Sequence, residues 1–261
     1  MREHRALDTI LEPGGITPVY QPIMRLEDRR SPDPAEQTQS RILHGFECLS
    51  RGRKGTNFES AKVMFEYVRL KREETLVDRA CIATALASAP QHDGLQLTVN
   101  VHASTLARDH EFTDFLCATA SANSIACEQL TVEIVEHAPP WDSSGFIAAL
   151  DRLRDRGMRI SLDDVGLGQS SFKMILDVRP DFLKLDRYFV DACESDPNRR
   201  AVIEAVASLA SHFGAQVIAE GVDREEAAET LLRYGVKLMQ GHLFAAALDR
   251  EGAREFLGCS S

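Results

Sequence analysis

Two adjacent carboxylates, Asp163 and Asp164, follow a short apolar segment at 159–162 and precede a glycine-rich loop. Neighbouring acids at a strand end are costly to bury unless a cation holds them. The chain turns where a strand ends, so both carboxylates can face one divalent cation. The alternative is a solvent-exposed turn that leads into a helix capped by Ser170 or Ser171. Other parts of the chain are needed to decide between the two.

Short apolar segments alternate with helical periodicity from about residue 95 to the end, which is typical of parallel β-α-β units. Two strands precede this region. The first contains Pro18 and Pro22, which predict an edge or irregular strand at the margin of the sheet. The predicted strands are 16–24, 41–51, 95–101, 130–135, 159–162, 181–185, 216–219 and 237–239. Eight strands with interleaved helices favour a closed α/β barrel of the TIM type.

The domain organisation predicted from this pattern is one barrel over residues 16–258 after an N-terminal extension at 1–15. Neither a domain boundary nor an internal repeat interrupts the alternation. Residues 25–40 are polar and rich in turn formers, which predicts an exposed loop or a hairpin extension.

Polar side chains stand at or near the carboxyl end of nearly every predicted strand. They are Glu47, Asn100, Glu133, Asp163, Asp164, Lys184, Asp186, Glu220 and Gln240. In a barrel these strand ends converge on one face. Each residue alone has an ordinary explanation: Glu133 as a surface acid, Asn100 as a turn former, Lys184 as a lysine that reaches out of the core. Their repeated occurrence favours one shared site.

The chemistry of this set is that of hard oxygen ligands, which select Mg²⁺ or Mn²⁺ rather than zinc. The acids suffice for two ions, and a metal-activated water then serves as a nucleophile near neutral pH. The reaction that suits such a site is in-line hydrolysis of a phosphate ester. Lys184 and Arg51 can position the water or balance the phosphate charge. For Arg51 the alternative is a solvated loop residue.

Composition restricts the partners of the chain. The 261 residues carry a formal net charge of −10, which argues against a protein that holds polymeric nucleic acid. No apolar run is long enough to span a membrane, and the N-terminus lacks the apolar region of a secretory signal, so we expect a cytoplasmic location. The six cysteines show no Cys-x-x-Cys pair and are predicted to be reduced, packed thiols.

The sequence resembles the EAL-domain cyclic di-GMP phosphodiesterases. The resemblance covers about residues 19–248, and its motifs occur in the family's order and at similar separations. The matching segments are Tyr20-Gln-Pro-Ile23, Gly45-Phe-Glu-Cys-Leu-Ser-Arg51, Val99-Asn-Val101, Glu133-Ile-Val-Glu136, Leu162-Asp-Asp-Val-Gly-Leu-Gly-Gln-Ser-Ser171, Leu183-Lys-Leu-Asp-Arg187, Ala219-Glu-Gly-Val222 and Gln240-Gly-His-Leu-Phe244.

The resemblance implies a modified TIM (β/α)8 barrel with one antiparallel strand. It also implies that cyclic di-GMP is opened to linear pGpG with Mg²⁺ or Mn²⁺ as cofactor, and that the chain can form a homodimer. The metal ligands it implies are Glu47, Asn100, Glu133, Asp163, Asp164 and Glu220. Lys184 is implied to hold the attacking water, with Glu220 acting at the metals or as a general base. Residues implied to contact the ligand or stand beside it are Gln21, Arg51, Asp186 and Gln240, and Glu136 is implied to anchor the loop after the paired aspartates.

Departures from the family pattern leave three functions to weigh. The namesake motif here is Glu47-Cys48-Leu49, and the loop after the aspartates has Val165, Leu167 and Gln169 where the family usually has Phe, Thr and Tyr. The complete set of acids predicts an active, metal-dependent phosphodiesterase. The altered loop motivates the alternative of a weakly active or inactive cyclic di-GMP receptor that signals through a protein partner. A scaffold that binds no nucleotide is the third alternative.

Overall fold

The computed structural model of the chain describes residues 2–29, 38–92, 94–135, 144–166 and 172–259. Eight strands close into a barrel in sequence order. The strands are β1 (Ile16–Arg29), β2 (Thr38–Gly52), β3 (Gln96–His102), β4 (Leu130–Val135), β5 (Arg159–Val165), β6 (Phe182–Leu185), β7 (Gln216–Ala219) and β8 (Leu238–Met239). The α-helices are α1 (Arg2–Leu11), α2 (Ala61–Lys71), α3 (Glu74–Ser88), α4 (Ala103–Arg108), α5 (Phe112–Ala122), α6 (Ser144–Asp155), α7 (Phe172–Val178), α8 (Arg187–Val190), α9 (Pro197–Phe213), α10 (Glu225–Arg233) and α11 (Arg250–Cys259).

The predicted fold class is confirmed. Strand β1 runs antiparallel to both β2 and β8, whereas all other neighbouring strands are parallel. The barrel is therefore a (β/α)8 barrel with one reversed strand, and its seven parallel strands direct their carboxyl ends to the same face.

The prediction that β1 lies at the margin of the sheet is wrong. The strand pairs with β2 along its length and with β8 at Met24 and Arg25, which closes the barrel. Pro18 and Pro22 precede the short β8 contact, so neither proline has to donate a hydrogen bond to β8. The polar segment after Arg25 continues as a hairpin extension, because the β1–β2 ladder reaches Arg29 and Thr38; residues 30–37 lie outside the described residues.

Three helices were not predicted from the sequence: α1, α4 and α11. Helix α1 is held against the rest of the chain by Ile10, which packs with Ile16, Met64 and Val68 in a small cluster beside the barrel. Helix α4 follows β3 without a loop, since His102 ends the strand and also caps the helix. A helix of six residues shows too little periodicity to be separated from a strand end by pattern alone.

Side-chain alternation divides the barrel interior into layers. Residues two apart on a strand face the same side, so the polar strand ends stand above a layer of apolar side chains. This apolar layer contains Ile23, Phe182, Ile218 and Leu238, all nearly inaccessible to solvent. The layer separates the polar face of the barrel from its opposite end and excludes water from below the site.

Tyr20 joins the barrel to the helix layer. Its ring is fully buried against Phe46 in an edge-on contact, and its hydroxyl donates a hydrogen bond of 2.7 Å to the carbonyl oxygen of Ala85 in α3. Burial is the main reason that the pKa of the Tyr20 hydroxyl is raised. The hydroxyl therefore remains a donor at any ordinary pH.

Replacement of Tyr20 by Phe should lower the free energy of unfolding by roughly 1 kcal/mol, because a buried hydrogen bond is lost without loss of the ring. Urea denaturation followed by circular dichroism measures this. Tyr188→Phe is the matched control, since Tyr188 is 60% exposed and should tolerate the change. Equal effects of the two substitutions would contradict the assigned role of the Tyr20 hydroxyl.

Candidate active site

Lys184 occupies the centre of the polar barrel face. The side chain is 1% exposed, and its ammonium group contacts three glutamates from different strands. The distances from Nζ are 3.1 Å to Glu47 Oε2, 2.7 Å to Glu133 Oε1 and 2.5 Å to Glu220 Oε1. The alternatives of a lysine that reaches out of the core and of Glu133 as a surface acid are both wrong, because these groups are buried together.

Amide side chains complete this network around Glu47. Asn100 Nδ2 donates a hydrogen bond of 3.0 Å to Glu47 Oε1. Gln240 Nε2 donates to Glu47 Oε2 at 2.7 Å and to Gln21 Oε1 at 2.9 Å. The carboxylate of Glu47 thus receives bonds from β3, β6 and the end of β8, which fixes its position at the barrel mouth.

The two aspartates owe their shared orientation to an irregularity in β5. The register with β6 shifts between Leu162 and Val165, and Asp164 adopts a left-handed backbone conformation with φ of 53°. The Asp164 amide also donates a bond of 2.9 Å to Asp163 Oδ1. Consecutive residues of a regular strand would point to opposite faces, but both aspartates line the same cleft here.

The acids carry more negative charge than Lys184 balances. Burial opposes ionisation of Glu47, but the Lys184 ammonium and the amide hydrogen bonds outweigh it and lower the pKa of Glu47. Burial and the Glu47 charge raise the pKa of Glu133 well above its usual range. Burial, opposed by Lys184 and assisted by Asp163 and Glu47, raises the pKa of Glu220 to about 7. For Lys184, burial is outweighed by Glu133, Glu220 and Glu47, so its pKa is raised and it stays charged.

A cleft of about 850 Å³ opens above these groups. Helix α2 forms one wall with Lys62, Phe65 and Arg69, which lie on one face of the helix. Arg51, near the end of β2, also lines the cleft, and its Nη1 donates to the carbonyl oxygen of Ser50 at 3.0 Å. In the described part of the chain Arg51 forms no ion pair, so its charge is available to an anionic ligand.

The structure brings nearly all predicted site residues to this cleft. Those that line it are Gln21, Glu47, Arg51, Asn100, Glu133, Asp163, Asp164, Lys184, Glu220 and Gln240. Asp186 is not among the lining residues; it begins α8, where its Oδ1 accepts a bond of 2.7 Å from the Tyr188 amide. Glu136, Leu167 and Gln169 lie outside the described residues.

Several cleft residues were missed by sequence reasoning, notably Phe65, Arg187 and Asp223. Arg187 pairs with Asp223 at 2.7 Å, and its side chain packs over Gly221, which has φ of 64°. A Cβ atom at Gly221 would lie 2.4 Å from Arg187 Cγ, so only glycine fits there. The segment Ala219-Glu-Gly-Val222 contained the signal, since its glycine follows the strand-end acid directly.

The oxygen donors of the cleft bear on whether it fits a divalent cation. Within the described ranges, no group of three or more His, Cys, Asp or Glu side chains stands as a preformed metal site, because Lys184 draws three of the glutamates to itself. Glu133 Oε2 and Gln240 Oε1 are nevertheless buried without a hydrogen-bond partner in this part of the chain. Buried oxygen acceptors without a donor, beside half-buried aspartates, are ligands that suit Mg²⁺ or Mn²⁺. The residues therefore fit a hard cation in kind.

Comparisons with known proteins agree with this geometry. The EAL domain family model matches residues 4–247. The cyclic di-GMP phosphodiesterase NbdA of Pseudomonas aeruginosa is 28% identical over 246 residues, which is 91% of this chain and 30% of NbdA. The chain belongs to the EAL domain family. It spans less than a third of the length of that relative.

Solved EAL structures share the fold. The structure of the EAL enzyme Bd1971 with cAMP and cyclic di-GMP bound has a TM-score of 0.83 at 23% identity and covers 100% of this chain and 68% of that chain. The Klebsiella pneumoniae BlrP1 structure, a calcium and cyclic di-GMP complex, has a TM-score of 0.72 at 22% identity and covers 96% of this chain and 66% of that one.

This EAL domain departs from the namesake motif only at Cys48. Cys48 is buried, and burial raises the pKa of its thiol far above the usual range, so it stays neutral beside Glu47. A small apolar residue therefore occupies the position, as the family motif requires. Val165 is also buried, and it pairs with Leu185 in β6.

Stability without divalent cations should depend on pH through Glu220. Its raised pKa means that the folded protein binds the proton more tightly than the unfolded chain, whose value is near 4.5. The contribution of Glu220 to the free energy of unfolding is fully present below pH 4.5 and is lost as the pH rises through about 7. Urea unfolding in chelator between about pH 5 and pH 8 should show a decline that Glu220→Gln reduces by roughly 1 to 3 kcal/mol.

Glu229→Gln provides the control for this experiment, because Glu229 is a half-exposed acid in α10 that pairs only with Arg233 at 3.5 Å. Its pH profile should follow that of the wild type. A Glu220→Gln profile that also coincides with the wild type would contradict the raised pKa.

Proposed function

We propose that this EAL domain hydrolyses cyclic di-GMP to linear pGpG in a reaction that requires a divalent cation. The observation that carries the proposal is the convergence of oxygen donors from β2, β3, β4 and β5 and from the end of β7 in a single cleft. Three of these donors, all glutamates, contact one buried lysine there. The name of the Pseudomonas relative and the ligand in the Bd1971 structure support the same substrate.

The residues proposed to hold the cation are Glu47, Asn100, Glu133, Asp163, Asp164 and Glu220. Mg²⁺ or Mn²⁺ is the proposed cofactor, since an all-oxygen donor set suits either ion. When bound, such a cation supplies electrophilic activation of the phosphodiester and of water. The excess negative charge around Lys184 favours its uptake.

Side chains of the protein itself are proposed to position the water, to accept its proton and to contact the nucleotide. Lys184 is proposed to hold the attacking water, because its ammonium lies at the centre of the site among three of the proposed metal ligands. Glu220 is proposed as the general base, since a pKa of about 7 suits proton uptake near neutral pH. Gln21, Arg51, Asp186 and Gln240 are proposed to contact the nucleotide or border it, and Glu136 to anchor the loop after the aspartates.

A catalytically weak cyclic di-GMP receptor is the second candidate. The observation that favours it is the replacement of the usual aromatic by Val165 at the end of β5, directly after the paired aspartates. Such a receptor would bind the nucleotide in the same cleft and signal through a protein partner. The homodimer and the cytoplasmic location stay predictions; none of the described helices is long and apolar enough to cross a membrane.

Turnover of cyclic di-GMP by the purified chain tests the first candidate. We expect pGpG to form with Mg²⁺ or Mn²⁺ and not in chelator, as followed by chromatography. Asp163→Asn should reduce the rate by roughly a hundredfold or more, since removal of groups that only support metal ligands already costs 10 to 100-fold. Asp177→Asn, at an exposed ion pair with Lys173, is the matched control.

Calorimetry with cyclic di-GMP separates the remaining outcomes. Binding without turnover in either metal would overturn the enzymatic proposal and support the receptor. If a folded protein neither binds nor hydrolyses cyclic di-GMP, the phosphodiesterase and the receptor are both rejected. The remaining alternative is then a scaffold that binds no nucleotide.

Arg51 gives a prediction about affinity. Arg51→Gln should raise KM about tenfold with a smaller change in kcat, because the guanidinium faces the cleft and charge-assisted bonds to phosphate add about 1.5 kcal/mol or more. Arg53→Gln is the control, since Arg53 pairs with Glu12 outside the cleft. Steady-state kinetics at constant ionic strength checks both variants. An unchanged KM for Arg51→Gln would remove Arg51 from the proposed contacts.

A further inference from the structure

Cys117 and Cys127 form a close thiol pair on the side of the barrel. Cys117 belongs to α5, and Cys127 begins the short 3-10 helix Cys127–Gln129 that leads into β4. The Cys127 thiol donates to Cys117 Sγ at a distance of 3.0 Å. The two sulfur atoms therefore lie within about 1 Å of the disulfide bond length of about 2.05 Å.

Solvent access distinguishes this pair from the three other cysteines whose side chains the structure describes. Both members are partly exposed, whereas Cys48, Cys81 and Cys193 are buried. A small oxidant can therefore approach Cys117 or Cys127 without opening the core. Neither residue lines the cleft, since Cys127 precedes β4 and Glu133 lies at the other end of that strand.

The hydrogen bond gives the two thiols different roles. Burial, followed by the hydrogen bond to Cys117, raises the pKa of Cys127 to about 12, so Cys127 remains a protonated donor. Cys117 accepts this hydrogen bond through its sulfur, and a thiolate is the form that attacks a disulfide. Cys117 is thus the attacking thiol and Cys127 the resolving one.

The geometry points to Cys117 and Cys127 as a modification site. There a low-molecular-weight disulfide, such as glutathione disulfide, oxidises the two thiols to an intramolecular disulfide. Cys117 loses its proton and attacks one sulfur of glutathione disulfide, whose S–S bond breaks and releases one glutathione. Cys127 then loses its proton and attacks the Cys117 sulfur, which releases the second glutathione. Two protein thiols are oxidised, and one glutathione disulfide is reduced to two thiols.

This crosslink would join the middle of α5 to the entrance of β4, in a segment that already contains local hydrogen bonds. Asn123 Nδ2 donates to the Thr119 carbonyl oxygen at 2.8 Å, and the Ile125 amide donates to the Ala120 carbonyl oxygen at 3.0 Å. A preorganised turn keeps the two sulfur atoms close. The attack of Cys127 on the glutathione-bearing Cys117 is therefore fast compared with reduction of that mixed disulfide by free glutathione. The site is independent of the proposed phosphodiesterase activity.

Mass spectrometry of the whole chain after treatment with glutathione disulfide tests the inference. Trypsin releases residues 109–152 as one peptide, which contains Cys117 and Cys127 and no other cysteine. We expect this peptide to lose the mass of two hydrogen atoms and to resist alkylation until a phosphine reductant is added. The buried Cys48 serves as an internal control and should be alkylated only after denaturation.

The variant Cys127→Ser should retain glutathione on Cys117, because the resolving thiol is gone. Cys117→Ser should show slower consumption of glutathione disulfide at this peptide. The inference is overturned if the wild-type peptide keeps glutathione as a stable mixed disulfide or stays fully reduced. It is also overturned if its thiols pair with cysteines outside residues 109–152.

Discussion

The contact of one buried ammonium with three carboxylates, those of Glu47, Glu133 and Glu220, governs the functional end of this barrel. Lys184 and its glutamate partners come from β6, β2, β4 and the end of β7, so the network ties together strands that are far apart in sequence. Buried charges are tolerated only when they are paired and hydrogen-bonded. The amides of Asn100 and Gln240 satisfy the remaining oxygens of Glu47, which makes the network a rigid base for the cleft.

The same network explains how an acidic site can accept an anionic nucleotide. Lys184 balances only part of the local negative charge, and the raised pKa values of Glu133 and Glu220 reflect the remainder together with burial. Positive side chains stand higher, at the walls, where Arg51 and Arg69 line the cleft. The site therefore separates a region that suits a cation from a rim that suits phosphate.

Local backbone geometry matters where the pattern of the barrel is broken. The register shift in β5 and the left-handed Asp164 turn two consecutive acids toward one cleft. Gly221 lets the Arg187 side chain pack directly over the backbone that follows Glu220. The irregularity lies in the last residues of β5, and Gly221 comes just after β7. At these strand ends, hydrogen bonding to neighbouring strands constrains the chain less.

The sequence alone determined the barrel class, the order of its strands and the identity of the polar strand-end residues in the cleft, because strand alternation and strand-end polarity are local patterns. It did not determine that β1 pairs on both sides, that α2 supplies a wall, or that Lys184 binds three glutamates. Those outcomes depend on contacts between residues as distant as Glu47 and Lys184, which are 137 positions apart. The proximity of Cys117 and Cys127 likewise follows from the turn between α5 and β4. Closure of the barrel brings Glu47 and Lys184 within bonding distance, since their spacing along the chain carries no periodic signal.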